Sequence, residues 1–171
     1  MIEKMKQEDV QASEGMSESA ACSKLAAWCS AAEHCRAEVQ EKLRRWGVPA
    51  EAAERVVQRL VDEGFVDEVR YCRAFIHDKC RFAKWGRLKI AQALAQKRIP
   101  ASVYAPWMDE VDEAAYEEGL RRLLQAKRKT TKARNAYELQ GKLVRFALQR
   151  GFEMESVRRC LGDFDENQGD A

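Results

Sequence analysis

Helix breakers are scarce: the 171 residues include only three prolines and nine glycines. Ala, Leu, Arg, Lys, Glu and Gln dominate instead, and those residues favour helices. No apolar run approaches the ~20 residues that a membrane helix needs, so a membrane partner is not expected. The opening segment MIEKMKQEDVQASEGMSES is polar and acidic and has no apolar core of a secretory signal. The chain is therefore expected in the cytoplasm. Histidine is nearly absent, with two residues, and neither stands in a nucleophile–base pattern. No G-x-x-x-x-G-K-[ST] phosphate loop exists. The carboxylate pairs Asp62-Glu63 and Asp112-Glu113 fall at expected helix ends, where solvation and capping account for them. Catalysis and cofactors are not expected.

None of the six cysteines forms a C-x-x-C pair. His34 adjoins Cys35, but the spacing of Cys22, Cys29 and Cys35 around it matches no standard zinc pattern. Cysteine here reads better as a small buried hydrophobe than as a metal ligand.

Three segments share one phrase: EVQEKLRRWGVPAEAAERVV (38–57), KIAQALAQKRIPASVYAPWM (89–108) and GKLVRFALQRGFEMESVRRCL (141–161). Each reads as helix, tight turn, helix. With the turns aligned at Gly47, Arg98 and Gly151, the apolar positions superpose. Val39, Ile90 and Leu143 lie eight residues before the turn. Val48, Ile99 and Phe152 lie one residue after it. Val56-Val57, Trp107-Met108 and Cys160-Leu161 follow at nine and ten. A fixed period near fifty residues signals tandem units. Each phrase follows another amphipathic stretch, at about 20–31, 67–82 and 112–128. The expected fold is all-α: three tandem three-helix units in an elongated, curved array. The expected boundaries are an acidic flexible tail at 1–19, units at 20–66, 67–111 and 112–163, and a flexible acidic tail at 164–171. Units this small bury little core alone and are expected to lean on one another.

Charge is segregated along the chain. Residues 70–98 carry net +8 and residues 121–134 carry +7, while residues 51–69 carry −4 and 109–118 carry −6. Asp67 is suited to cap the helix that follows. On that helix Tyr71, Phe75 and Phe82 share one face, read as core. Arg70, Arg73, His77 and Arg81 form a basic stripe opposite. Lys84, Trp85, Arg87, Lys89 and Lys97 continue the basic stretch. Arg121, Arg122, Lys127, Arg128, Lys129, Lys132 and Arg134 make the second block. These cations are the candidate surface for a polyanion or an acidic protein. Trp85 is suited equally to stacking on a base and to plugging a helix junction. Gly47-Val48-Pro49 resembles a helix-turn-helix turn. The helices after Pro49 and Pro100 are too acidic or too poor in cations to read a major groove. Nucleic-acid contact is therefore expected through the backbone.

The central residues carry a family resemblance. Glu63-Gly64-Phe65-Val66-Asp67-Glu68, then Tyr71, Phe75 and Arg81, then Gly86, Lys89-Ile90, Leu94 and Lys97-Arg98-Ile99 resemble the central unit of RecX, the bacterial regulator of the RecA recombinase. Glu38-Val39 with Lys42-Leu43, and Arg145-Phe146 with Arg150-Gly151-Phe152, resemble its flanking units. Gly64, Asp67, Tyr71, Phe75, Gly86, Ile90 and Leu94 are the structural positions of the motif. Cys35, Arg87 and Arg98 depart from it, standing where the family often has Ser, Pro and Gly. The resemblance implies binding to the RecA–single-stranded DNA filament. It also implies inhibition of filament growth, ATPase, strand exchange and co-protease activity, with contact to single-stranded or duplex DNA. A monomer is expected. The alternative reading is a RecA-independent, sequence-nonspecific nucleic-acid-binding module, and beyond it a helical scaffold.

Overall fold

The computed structural model describes residues 16–167; residues 1–15 and 168–171, parts of the two expected tails, lie outside the described residues. Among the described residues there are nine helices and no strands. The helices are α1 (Glu18–Ala31), α2 (Arg36–Arg45), α3 (Ala50–Asp62), α4 (Glu68–Arg81), α5 (Arg87–Gln96), α6 (Ala101–Asp109), α7 (Glu113–Thr130), α8 (Ala136–Gln149) and α9 (Met154–Asn167). The chain divides into two compact units, Met1–Tyr71 and Cys72–Ala171.

In the first unit α3 packs against both α1 and α2. Leu25, Val39, Leu43, Val56 and Leu60 are essentially inaccessible at its centre. The Ser17 hydroxyl accepts from the Ala20 amide and caps α1. Glu18 pairs with Arg55 at 3.0 Å. Ordered helix thus reaches into the segment assigned to the N-terminal tail, because Ser17 satisfies an amide left open by the first turn. At the other end α9 runs through Asn167, so helix also enters the expected C-terminal tail. Cys35 occupies the cap position of α2 without capping through its side chain. A distant carboxylate, Glu68, accepts from the Arg36 amide at 2.9 Å instead.

In the second unit α7, α8 and α9 pack on one another, and α5 packs on α6. Leu120, Leu124, Leu143, Ala147 and Val157 fill the three-helix core. The aligned repeat positions Val39, Ile90 and Leu143 are all buried, as are Val48, Ile99 and Phe152.

The three aligned turns share one hydrogen-bond geometry. Gly47, Arg98 and Gly151 have φ of 69°, 58° and 91°. The next amide in each case donates to the carbonyl five residues back: Val48 to Leu43, Ile99 to Leu94 and Phe152 to Ala147. This is the Schellman closure, which satisfies carbonyls orphaned at a helix end. Arg98 holds a left-handed conformation that carries a steric cost of ~1–2 kcal/mol for an L side chain, offset in part by the ~0.5–1 kcal/mol of extra chain entropy that glycine loses. Arg98→Gly is therefore expected to stabilise the fold by up to about 1 kcal/mol in thermal or urea denaturation. A loss of stability would show that Arg98 contributes more through its side chain than its backbone costs.

Phe82 corrects one expectation. Helical extrapolation puts it on the face of Tyr71, but α4 ends at Arg81 and Phe82 is 71% exposed. The chain turns away there: Lys84 has φ 55°, and the Trp85 amide donates to the Lys79 carbonyl at 2.9 Å. Tyr71, Cys72 and Ile76 are the buried residues of α4.

Candidate functional site

Ion pairing divides the candidate cations into two classes. Within the first unit, Arg70 pairs with Glu33 and donates to the backbone carbonyls of Gly64 and Phe65. Its hydrogen bond to Glu33 raises the guanidinium pKa above its ordinary value. Arg70 thus ties the start of α4 to the Glu33 segment and to the turn at Gly64, whose φ is 78°. Asp67 accepts from the Arg70 amide at 3.0 Å and caps α4. The Tyr71 hydroxyl donates to Glu38 at 2.9 Å. The expectation that Arg70 belongs to an open basic stripe is corrected: its charge is used internally.

Arg87 receives the same correction within the second unit. Its guanidinium lies 4.0 Å from the centre of the Tyr116 ring. It pairs with Glu113 at 2.6 Å and with Glu153 at 3.6 Å. Its amide donates to the Tyr116 hydroxyl at 3.0 Å, and that hydroxyl donates onward to Glu153 at 2.8 Å. Burial first, then the bond to Glu153, pushes the Tyr116 phenol well above its ordinary range. Beside this network two segments of the chain meet backbone to backbone. The Gly86 amide donates to Arg150 O at 2.8 Å, and the Leu88 amide to Gly151 O at 3.0 Å. Arg150 reaches back to the Ala83 carbonyl at 3.1 Å. Ile90 and Leu94 lie behind this joint, fully buried.

Arg73, His77, Arg81 and Lys84 line a cleft of about 550 Å³ with Trp85, Trp107, Tyr116 and Phe152. Cys80 and the acids Glu110 and Asp112 also border it. Burial pushes the Cys80 thiol above its ordinary pKa, so it stays protonated. Arg73 sits over the Trp107 ring at 5.0 Å, and Arg81 lies 5.6 Å from the Phe82 ring. His77 contacts the adjacent Asp78 at 3.3 Å. Among the described residues no carboxylate pairs with Arg73, Arg81 or Lys84. Trp85 is half-buried. Lys79 and Lys89 hold ammonium groups 4.5 and 4.3 Å from its ring, and the Phe75 ring meets it edge-on at 6.4 Å. These contacts engage the ring within the fold, at the edge of the cleft.

The second block divides likewise. Arg121 pairs with Glu117 and Glu118, Arg122 with Glu118 at 3.0 Å, and Arg134 with Glu138 at 3.0 Å. Amide and side-chain bonds from Arg134 hold the Glu138 carboxyl below its ordinary pKa. Lys127 and Lys132 instead line a groove of about 570 Å³ with Lys142 and Arg145. The Lys127 ammonium lies 4.9 Å from the Phe146 ring. Lys129 is exposed and Arg128 half-exposed beside it on α7; Lys97 is the C-cap residue of α5. Lys142 and Arg145 escape a search for charge runs, because Leu143, Val144 and Phe146 dilute them. Their spacing of three on one helix is the signal that finds them.

The chain matches the family models for the first, second and third three-helix domains of RecX over residues 23–60, 67–105 and 115–161. It is 33% identical over 136 residues to the regulatory protein RecX of Pseudomonas entomophila, covering 78% of this chain and 84% of that one. The regulatory protein RecX of Prosthecochloris aestuarii is 28% identical over 137 residues, with 79% and 87% covered. Among solved structures, RecX from Lactobacillus salivarius superposes with a TM-score of 0.73 at 17% identity, covering 86% of this chain and 96% of that one. A second structure of a regulatory protein RecX gives 0.77 at 16%, with 85% and 71% covered. At such identities these structures establish the fold alone.

Proposed function

The chain belongs to the RecX family of regulatory proteins, with three three-helix domains in tandem, and from that premise we propose that it binds the RecA–single-stranded DNA filament and restrains its growth. Lower RecA ATPase, strand exchange and co-protease activity follow from a shorter filament. The role is regulatory and needs neither a cofactor nor a membrane. Among the described residues no helix is long and apolar enough to cross one.

The observation that supports this reading is the set Arg73, Arg81 and Lys84, none in direct ion pair with a carboxylate among the described residues, on a cleft lined with aromatic rings. Unpaired guanidinium groups beside exposed apolar surface suit an acidic protein face or a phosphate backbone. Phe82 adds apolar area next to it. Arg70 and Arg87 stand outside the surface because their charges are used within the fold.

The test is the ATPase of the cognate RecA on single-stranded DNA with substoichiometric chain added. The rate is expected to fall. Arg73→Glu with Arg81→Glu is expected to raise the concentration for half-inhibition at least about tenfold, since reversing charges at an interface costs on the order of 1 kcal/mol or more each. Helicity should stay unchanged, because both side chains are exposed. An unaltered ATPase with the parent chain would sink the reading. The RecA-independent module predicts instead equal binding to naked DNA with and without RecA.

A further inference from the structure

Four cations and no carboxylate line the groove between the end of α7 and the middle of α8: Lys127, Lys132, Lys142 and Arg145. Phe146 lies among them, and the Thr130 and Thr131 hydroxyls are already committed to the Lys127 carbonyl. Lys142 donates to the Lys132 carbonyl at 2.7 Å and approaches Glu138 at 3.4 Å, so it also holds the loop before α8 in place. Lys127, Lys132 and Arg145 have no acidic partner among the described residues.

Arg145 also borders a second pocket, which Tyr137 lines. Tyr137 is 88% exposed, more than any other large apolar side chain among the described residues. Its phenol ring is open to solvent on α8, whose other face is packed through Leu143 and Ala147. The rise from Tyr137 to Arg145 along the helix is ~12 Å, a length that about three or four stacked nucleotides cover at ~3.4 Å each. Glu138 is the one acid among the residues that line the two pockets, and Arg134 and Lys142 pair with it.

We propose that this face of the third three-helix domain is a strand site for a single-stranded polynucleotide, with phosphates along Lys127, Lys132 and Arg145 and a base stacked on Tyr137. It deepens the filament reading by naming the surface that meets the nucleic acid, and it stands apart from the Arg73–Arg81 cleft. A groove of cations that follows the backbone, joined to an aromatic platform, is the arrangement by which strands are held without base reading.

The experiment measures anisotropy of labelled oligo-dT and oligo-U with the whole chain, without RecA, across a salt series. Binding with a steep salt dependence is expected. Lys127→Gln with Arg145→Gln is expected to lower the slope of log affinity against log salt by about 1.4, at ~0.7 per phosphate contact. Tyr137→Ala is expected to weaken binding about five- to hundredfold, the worth of one stacked base, and to leave the slope unchanged. The two oligomers decide whether the sugar matters. Absence of binding by the parent, an unchanged slope in the double variant, or parental affinity in Tyr137→Ala each overturns the proposal. Because RecA is absent from this assay, such a failure leaves the ATPase result with Arg73 and Arg81 standing.

Discussion

Gly86→Ala is expected to cost about 3 kcal/mol or more, enough to unfold the second compact unit in part at moderate temperature. A methyl group on Gly86 would lie 2.2 Å from the Gly151 carbon and oxygen and from the Phe152 nitrogen. All three are backbone atoms, so no rotamer change relieves the clash. Gly86 has φ −79°, a conformation that alanine adopts freely, and the penalty is therefore purely steric. Separation of the two segments would break the bonds Gly86 N–Arg150 O and Leu88 N–Gly151 O, each worth ~1 kcal/mol net and more if left buried and unmet. It would also loosen the packing of Phe152. Gly119→Ala is the matched control: a methyl there meets nothing within 4 Å, and in a helix interior the change is expected to stabilise by ~0.5–1 kcal/mol. Urea denaturation of the two variants should move in opposite directions. Equal midpoints would mean that the segments at Gly86 and Gly151 are free to part.

The same two glycines explain what was legible in the chain and what was not. The repeat was readable because its signal is local and periodic. Val39, Ile90 and Leu143 are buried at equivalent places in three helices. Even Arg98 adopts the left-handed turn of Gly47 and Gly151, because register imposes the conformation and the residue tolerates it. Gly86 was visible as a motif position, yet its reason is a backbone 65 residues further along, which no spacing announces. Charge misled for a similar reason. A count over residues 70–98 gives +8, but Glu33, Glu113 and Glu153 lie outside that window and take up Arg70 and Arg87. Conversely, Lys142 and Arg145 sit among apolar residues of α8, so no window registers them, although folding sets them beside Lys127. Phe82 failed by one residue: its helix stops at Arg81, and periodicity past a helix end carries no information.

Arg87→Met is expected to destabilise the second unit by about 2–3 kcal/mol, since removing one member of a partly buried ion pair strands the others. Methionine keeps much of the volume over the Tyr116 ring but leaves Glu153 facing a ring and no cation. The loss should stop short of a fully buried pair, because Glu113 is half-exposed and retains Arg159 at 3.6 Å. Tyr116 supplies an independent readout of the same joint. Its folded phenol holds its proton to higher pH than the ordinary value of 10. A group whose folded pKa is raised contributes stability that is fully present below the unfolded value and is lost as pH rises past it. Stability of this unit is therefore expected to decline above about pH 10 as the unfolded chain gives up the proton first. Tyr116→Phe should lower stability at neutral pH by ~1–2 kcal/mol, because the Arg87 amide loses its acceptor and Glu153 a donor. It should also flatten that alkaline decline. Arg87→Met should not flatten it, because the buried hydroxyl and its bond to Glu153 remain. Identical alkaline profiles for Tyr116→Phe and the parent would show that the phenol is not the group through which this joint feels pH.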